Sequence, residues 1–277
     1  SYCVFNQQYT REEYLKKLSE SGLDSYDKFE ILKKEAYAYW LTFPHKYMRG
    51  RQNVEVSGDY IYESKNAQNC YRVRDTEDSK FVQNVLSGPV KNCYDYTNWG
   101  ENAELVYESM IVGVGASNVK FCVQSFNDVR NLTYCVFCHN SSDLFGCVSL
   151  RNKQYCIFNK QYTKEEYEAL VPKIIEHMNK MPYIENGIAY TYGEFFPASL
   201  SHFPYQITQA QEFFPLGEIE AKKQGFLYYD IAKQNYKITL KNEDIPDSIK
   251  SIEKNILNEV IECAHGGSCA QECTGAF

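Results

Sequence analysis

The stretch NLTYCVFCHNSSDLFGCVSLRNKQYCIF, residues 131–158, decides how the chain is read. Tyr134, Phe145 and Tyr155 stand 11 and 10 residues apart, Cys135 and Cys156 directly follow rings, and Asn131 and Asn152 precede rings at the third position. Upstream, Tyr60, Tyr71, Phe81, Tyr94, Tyr107 and Phe121 continue the series at gaps of 10 to 14 residues, with Asp78 and Asn118 in the same leading position. Acid and amide side chains bond their own backbone and make corners, so the pattern predicts short strands separated by polar corners. Like chemistry recurring about every dozen residues is what stacked coils need, because each coil touches only its neighbours. The expected fold class is mainly β, a β-solenoid from about Asn53 to Phe158 with flanking capping helices. A β-sandwich has similar turn spacing, but the tract lacks the Asn-Gly and Asp-Gly hairpin dipeptides. The rings and thiols are both expected to point inward and stack on their counterparts.

A second, longer-range repeat frames this tract. Residues 2–14 (YCVFNQQYTREEY) and 155–167 (YCIFNKQYTKEEY) share ten of thirteen positions at an offset of 153. The second copy ends a periodic tract while the first has none before it, so the chain reads as a segment of something longer. Thr10-x-x-Glu13 and Thr163-x-x-Glu166 are capping boxes that start a helix after each copy. Behind the second, Tyr167, Leu170, Val171, Ile174, Ile175 and Met178 form one apolar stripe, with Pro172 expected to kink or restart the helix. A further helix is predicted from about Ser25 to Thr42, as a cap over the open end of the tract, and a last one from Asp247 to Ile261. The predicted divisions are residues 1–50, the end of an upstream repeat with a helical connector; 51–160, the solenoid; 161–235, a helix and an extended aromatic segment; and 236–277, a terminal helix and a partial zinc-ribbon knuckle. The tetrad Glu-Phe-Phe-Pro occurs at Glu194–Pro197 and Glu212–Pro215, where it suits packing on the solenoid flank or a partner-binding groove.

With 44% hydrophobic residues a chain of this length can bury a core, and 29 basic against 36 acidic side chains leave a formal charge of −7. No basic run is segregated along the sequence, so nucleic acid is not an expected partner for this segment. No apolar run reaches the ~20 residues of a membrane span, so no membrane contact is expected either. Eleven cysteines in a chain with this much apolar mass favour a reducing intracellular compartment, or a virus particle, over a secreted disulfide scaffold. The sequons at Asn131 and Asn140 are too short a pattern to outweigh that.

The chemistry-bearing residues are few. Cys263, His265, Cys269 and Cys273 place three thiols and an imidazole within eleven residues, a donor set suited to zinc, although only one knuckle of a tetrahedral site is visible. Cys135-Val-Phe-Cys138-His139 spells the haem-attachment pattern, yet Tyr134 and Cys135 already match the ladder, which favours a structural role. Asp75, Glu77 and Asp78 could form a glycosidase-like carboxylate cluster but read more simply as solvated corners. No nucleophile elbow, zincin motif or phosphate loop is present, and no catalytic residue is assigned.

Residues 143–167, Leu170–Met178, Gly193–Pro197 and Ala210–Leu216 together resemble an uncharacterised cysteine-rich repeat family of candidate-phyla bacteria and giant viruses, often mislabelled with a CoA-transferase name. The resemblance implies a repeat tract between zinc ribbons, with Cys273 in the first knuckle of a C-terminal ribbon and Cys269 as its partner thiol. The resemblance bears on architecture more than on activity; the expected function is a non-enzymatic structural or interaction scaffold, self-assembling or binding proteins, as a component of a large assembly or virus particle. The alternatives are a zinc-ribbon factor associated with nucleic acid and a carbohydrate-active β-helix enzyme.

Overall fold

The computed structural model describes residues 2–229 and 236–265, which divide into two compact units, Lys46–Leu200 and a second made of Ser1–His45 with Ser201–Phe277. The first unit is a β-solenoid of about eight turns. Its strands pair in parallel, and the register gives the turn length directly. Ile61 pairs with Val73 and Val73 with Val85, twelve residues per turn. Val106, Val119 and Leu132 follow at thirteen, and Leu132, Leu144 and Cys156 return to twelve. The turn from Thr76 to Val90 takes fourteen. Its two extra residues lie in the corner around Gly88, where a Cβ would come within 2.6 Å of the Asp75 carbonyl oxygen.

Within each turn lies a shorter period. Tyr60, Glu63, Asn66, Asn69, Arg72, Asp75, Asp78, Phe81 and Asn84 all have positive φ, one residue in every three. The residue after each, namely Ile61, Ser64, Ala67, Cys70, Val73, Thr76, Ser79, Val82 and Val85, is buried. A left-handed residue reverses the local twist and turns the chain, so three residues make one side and four corners close a twelve-residue coil. Asparagine and aspartate adopt this conformation most readily, which explains the sequence-predicted corners Asp78, Asn118, Asn131 and Asn152, all of them left-handed. They also stack outside the coil: Asn118 Nδ2 donates to Asn131 Oδ1 at 2.9 Å, and Asn131 Nδ2 to Asp143 Oδ1 at 2.8 Å.

The inward positions hold small side chains with a specific task. Ser64, Ser79, Ser109, Ser125 and Ser141 each donate through Oγ to the carbonyl two residues back, at 2.7 to 3.3 Å. Cys93, Cys122, Cys135 and Cys147 make the same contact through Sγ at 3.2 to 3.5 Å. Several of these atoms also accept an amide from the next turn: Ser109 Oγ from Cys122 N at 3.0 Å, and Cys122 Sγ from Cys135 N at 3.3 Å. A buried backbone group left without a partner costs about 1–3 kcal/mol, so serine and cysteine are chosen for size and hydrogen bonding together.

Six of the nine rings in the predicted series stack as expected but on the outside of the coil, which corrects the inward placement predicted for them; Tyr60, Tyr71 and Tyr155 lie outside the column, and Phe158 ends it. Phe81, Tyr94, Tyr107, Phe121, Tyr134, Phe145 and Phe158 form a continuous column with successive centroids 4.7 to 6.3 Å apart. A twelve-residue coil has room inside for Val, Leu, Ala, Ser and Cys, not for a ring on every turn. Tyr96 is a fully buried exception, its hydroxyl donating to the Val112 carbonyl, and it closes the fourteen-residue turn from Val82 that contains the Gly88 corner.

Both copies of the long-range repeat fold alike. Phe5–Asn6 and Phe158–Asn159 have positive φ in two-residue hairpin turns, which glycine-free sequence disguised, and capping boxes then open α1 (Arg11–Glu20) and α3 (Lys164–Lys180). Helix α2 spans Tyr26–Leu41 with Ser25 and Thr42 as its caps, as predicted. The helix does not restart at Pro172, since α3 runs through it without interruption. The helix predicted over 247–261 is absent: only the short 3₁₀ turns Ile249–Ser251 and Lys254–Asn258 occur there. Asp247 and Ser248 are engaged elsewhere in the second unit, the Asp247 carbonyl accepting from Tyr26 N at 3.0 Å and Ser248 Oγ donating to Asp24 at 3.0 Å, and β-branched isoleucines give the segment little helix propensity of its own.

The paired role of the inward thiols gives a direct test. Cys122→Val is close in volume but removes both hydrogen bonds, whereas Cys122→Ser can keep them. Chemical denaturation should place the valine variant about 1–3 kcal/mol below the wild type and below the serine variant; the reverse order would refute the role.

Candidate functional site

A concave feature of the solenoid unit lies beside the downstream half of the ring column. Here the outer faces of the last turns, through Val136, Val148 and Phe158, meet the stripe Leu170, Ile174 and Met178 of α3 around a cavity of about 890 Å³. The far wall is the hairpin Tyr183–Glu185/Ile188–Tyr190 and the first Glu-Phe-Phe-Pro tetrad. That tetrad is held on the ring column. Tyr134 Oη donates to the Glu194 carbonyl at 2.9 Å and accepts from Gly193 N at 3.0 Å, while Phe196 and Tyr192 lie 5.7 and 6.1 Å from the Tyr134 ring. Phe121 and Phe145 are consequently 2% exposed, against 38% and 40% for Phe81 and Tyr94 farther up the column. Burial pushes the Tyr134 hydroxyl above its ordinary pKa, so it stays a donor through the physiological range.

The groove is apolar almost throughout. Lys173, His177, Thr191 and Glu194, with the hydroxyls of Tyr134, Tyr183 and Tyr190, are the polar groups at its wall. Its volume falls within the ~300–1,000 Å³ of small-ligand clefts. Val148, Phe158 and Met181 are 50%, 65% and 68% exposed, a contiguous apolar face of the kind that marks interaction surfaces.

The second tetrad behaves differently. Phe213 ends the short helix α4 (Gln209–Phe213) and Phe214 caps it. Both rings stand outward, 63% and 72% exposed, while the Phe214 backbone is engaged, its N–H donating to the Ala210 carbonyl at 2.7 Å and its carbonyl accepting from Tyr205 Oη at 2.7 Å.

The other residues singled out in the sequence are not assembled into a centre. Cys135 and Cys138 are fully buried inward residues, inaccessible to a haem vinyl group, and His139 stacks on Phe126 at 4.1 Å. Glu77 pairs with Lys91 at 2.8 Å and Lys65 at 3.8 Å, Asp78 accepts from Asn66 at 2.8 Å, and Asp75 and Asp78 are left-handed corners of the coil. Of the four zinc candidates, Cys263 is buried and His265 exposed, while Cys269 and Cys273 lie outside the described residues. Among the described residues no group of three or more His, Cys, Asp or Glu is placed to hold a metal, so two residues alone do not make the site and its fit rests on the other two.

The thiols of the coil are chemically shaped by burial. Desolvation pushes Cys93 up to about 12, and Cys135 is raised by burial first and then by neighbouring thiols. Cys147 is drawn down to about 7 because Cys135 donates to it. A thiol whose native pKa is raised stabilises the fold fully below the unfolded value near 9, and that contribution is lost as pH rises toward 12. The solenoid should therefore weaken above about pH 9, and Cys93→Val, which installs the residue found one turn later at Val106, should move the alkaline unfolding midpoint upward in a circular-dichroism titration. An unchanged midpoint would show that Cys93 is not among the groups responsible.

No family model matches the chain, and neither a curated protein nor a solved structure does.

Proposed function

We propose that this chain is a non-enzymatic interaction scaffold, part of a larger zinc-ribbon protein, and that it self-assembles by seating the Phe213–Phe214 pair of one copy in the groove beside α3 of another. The observation that carries the reading is the duplicated tetrad. One Glu-Phe-Phe-Pro builds the groove wall, and the other displays the same two rings to solvent. Aromatic pairs gain about 0.5–1.5 kcal/mol beyond area burial, and the groove already joins onto a surface covered by rings of this type. The inward hydroxyls and thiols are taken up by structural hydrogen bonds, and Glu77 of the carboxylate cluster is held by Lys65 and Lys91, which supports a scaffold over a hydrolase. Zinc on Cys263, His265, Cys269 and Cys273 belongs to this reading as a staple at the chain's far end, since those donors suit it.

The proposed contact is heterologous, ring pair to groove, and such contacts propagate. Sedimentation velocity should detect concentration-dependent chains of the wild type. Phe213→Ser/Phe214→Ser and Val148→Glu/Met181→Glu should each be monomeric alone, because every substituted residue is exposed and the fold is spared. Mixed together, the two variants should form a dimer and nothing longer, as one intact groove meets one intact ring pair. A monomeric wild type, or variants that still polymerise, would end the proposal.

A further inference from the structure

The acidic net charge hides a local reversal. Coiling at twelve residues per turn superposes positions that are distant in sequence. Arg51 pairs with Tyr62, and Tyr62 with Arg74 on the next turn. The neighbouring corner column carries Arg49, Tyr60 and Arg72, so four arginines and two tyrosines occupy one outer face over three turns. Arg49 and Arg51 are neutralised by Asp59 at 3.1 Å and Glu63 at 3.3 Å. Arg72 and Arg74 form no ion pair with any of the described residues, and the acids nearest Arg49 and Arg51 are taken up by those two bridges. Between them a cleft of about 670 Å³ is lined by Tyr60, Tyr62, Arg72, Arg74 and Leu86.

We infer that this cleft binds a nucleotide, its phosphate held by the Arg72 and Arg74 guanidiniums and its base stacked against the Tyr60 and Tyr62 side. The two components of the ligand answer to two components of the site. A planar guanidinium fork matches phosphate oxygens two at a time, and the paired arginines sit two residues apart on one strand, flanking Val73, so both point out of the same side of the coil. Exposed tyrosine rings offer a stacking surface that any base can use. Tyr60 is 42% exposed, and the cations already lie near the rings, Arg74 5.7 Å from the Tyr62 centroid and Arg49 5.1 Å from that of Tyr60. Leu86 closes the remaining wall with an apolar side chain that repels neither ring nor base. The cleft is the size of a small-molecule site. The chain's overall charge of −7 disfavours long polyanions at a distance, so two free arginines in a short cleft fit a mononucleotide or the end of a strand better than an extended duplex. Sequence reasoning missed this face because the four arginines are spread over 26 positions, from Arg49 to Arg74, and only the coil brings them together.

Isothermal titration of the whole chain with adenosine 5′-monophosphate, inorganic phosphate and a short single-stranded oligodeoxyadenylate tests the assignment. The mononucleotide should bind, and phosphate should bind at least about tenfold more weakly, since a stacked base contributes on the order of 1–3 kcal/mol. Arg72→Asn/Arg74→Gln should weaken the mononucleotide by about tenfold or more, asparagine being chosen because Arg72 has positive φ. Tyr60→Asn respects the same backbone constraint; it should weaken the mononucleotide but not phosphate, and it serves as the second variant if the arginine pair fails to fold. Tighter binding of the oligonucleotide identifies a strand end as the source, and equal or weaker binding a free nucleotide; both support the site. Absence of mononucleotide binding, phosphate binding as tight as the nucleotide, or affinity untouched in folded variants would overturn it.

Discussion

Everything in the solenoid depends on a side chain reaching back to a carbonyl two residues earlier. A left-handed residue at every third position bends the strand so tightly that the regular parallel ladder cannot satisfy every backbone group. Inward hydroxyls and thiols complete the set, each donating within its own turn and several accepting an amide from the next. The coil is thus held by groups that must be small and must both donate and accept, and serine and cysteine meet those conditions. Their abundance in this tract needs neither disulfides nor metal, since each of Cys70, Cys93, Cys122, Cys135, Cys138, Cys147 and Cys156 is unbridged and buried inside it.

The same constraint explains what lies outside. Because the interior admits only small residues, the rings are expelled to one face, where they stack on each other at the spacing of the turns. A column of rings is apolar surface that water solvates poorly, and the chain covers its downstream half with Tyr192 and Phe196 while leaving Phe81 and Tyr94 partly open. The groove is a by-product of that cover: a helix and a hairpin leaning on the ring column cannot fill the space where the last turns recede beneath them. Scaffold and groove therefore share one cause.

How much of this was legible follows from which periods survive in a sequence. The twelve-residue recurrence was visible because rings and thiols both carry it, and it gave the fold even though the rings were assigned to the wrong side. A period alone fixes what stacks on what, not which way it faces. The three-residue period was harder to see, because its corners include Tyr60, Phe81, Ile111 and Val114 beside the favoured Asn and Asp, and its inward set mixes Val, Ser, Cys and Ala. Polar corners at Asp78, Asn118, Asn131 and Asn152 and both capping boxes were readable because their chemistry is local. The terminal helix over 247–261 was misread because its isoleucine spacing looked helical, while the pairing of Asp247 and Ser248 with residues 24–27 depends on partners more than 200 positions away. The groove was only half visible: the tetrads could be found, but not that one would pack and the other protrude.

A solenoid converts separation along the chain into adjacency on a face, and so makes bulk composition a poor guide to local character. In a globular domain a charge of −7 is spread over the surface by whatever loops carry it. Here each outer column is written by every twelfth or thirteenth residue, and its sign is set independently of its neighbours. The Asn and Asp corners from Asn118 to Asp143 make one column that is polar and self-bonded, the rings make another that is apolar, and Arg51, Tyr62 and Arg74 make a third that is cationic and aromatic. Such a fold can present several distinct binding chemistries side by side with no change in its interior, because a substitution at an outward position leaves the inward hydrogen bonds intact. The scaffold's versatility and its stability are thus held by different residues, and selection on one need not disturb the other.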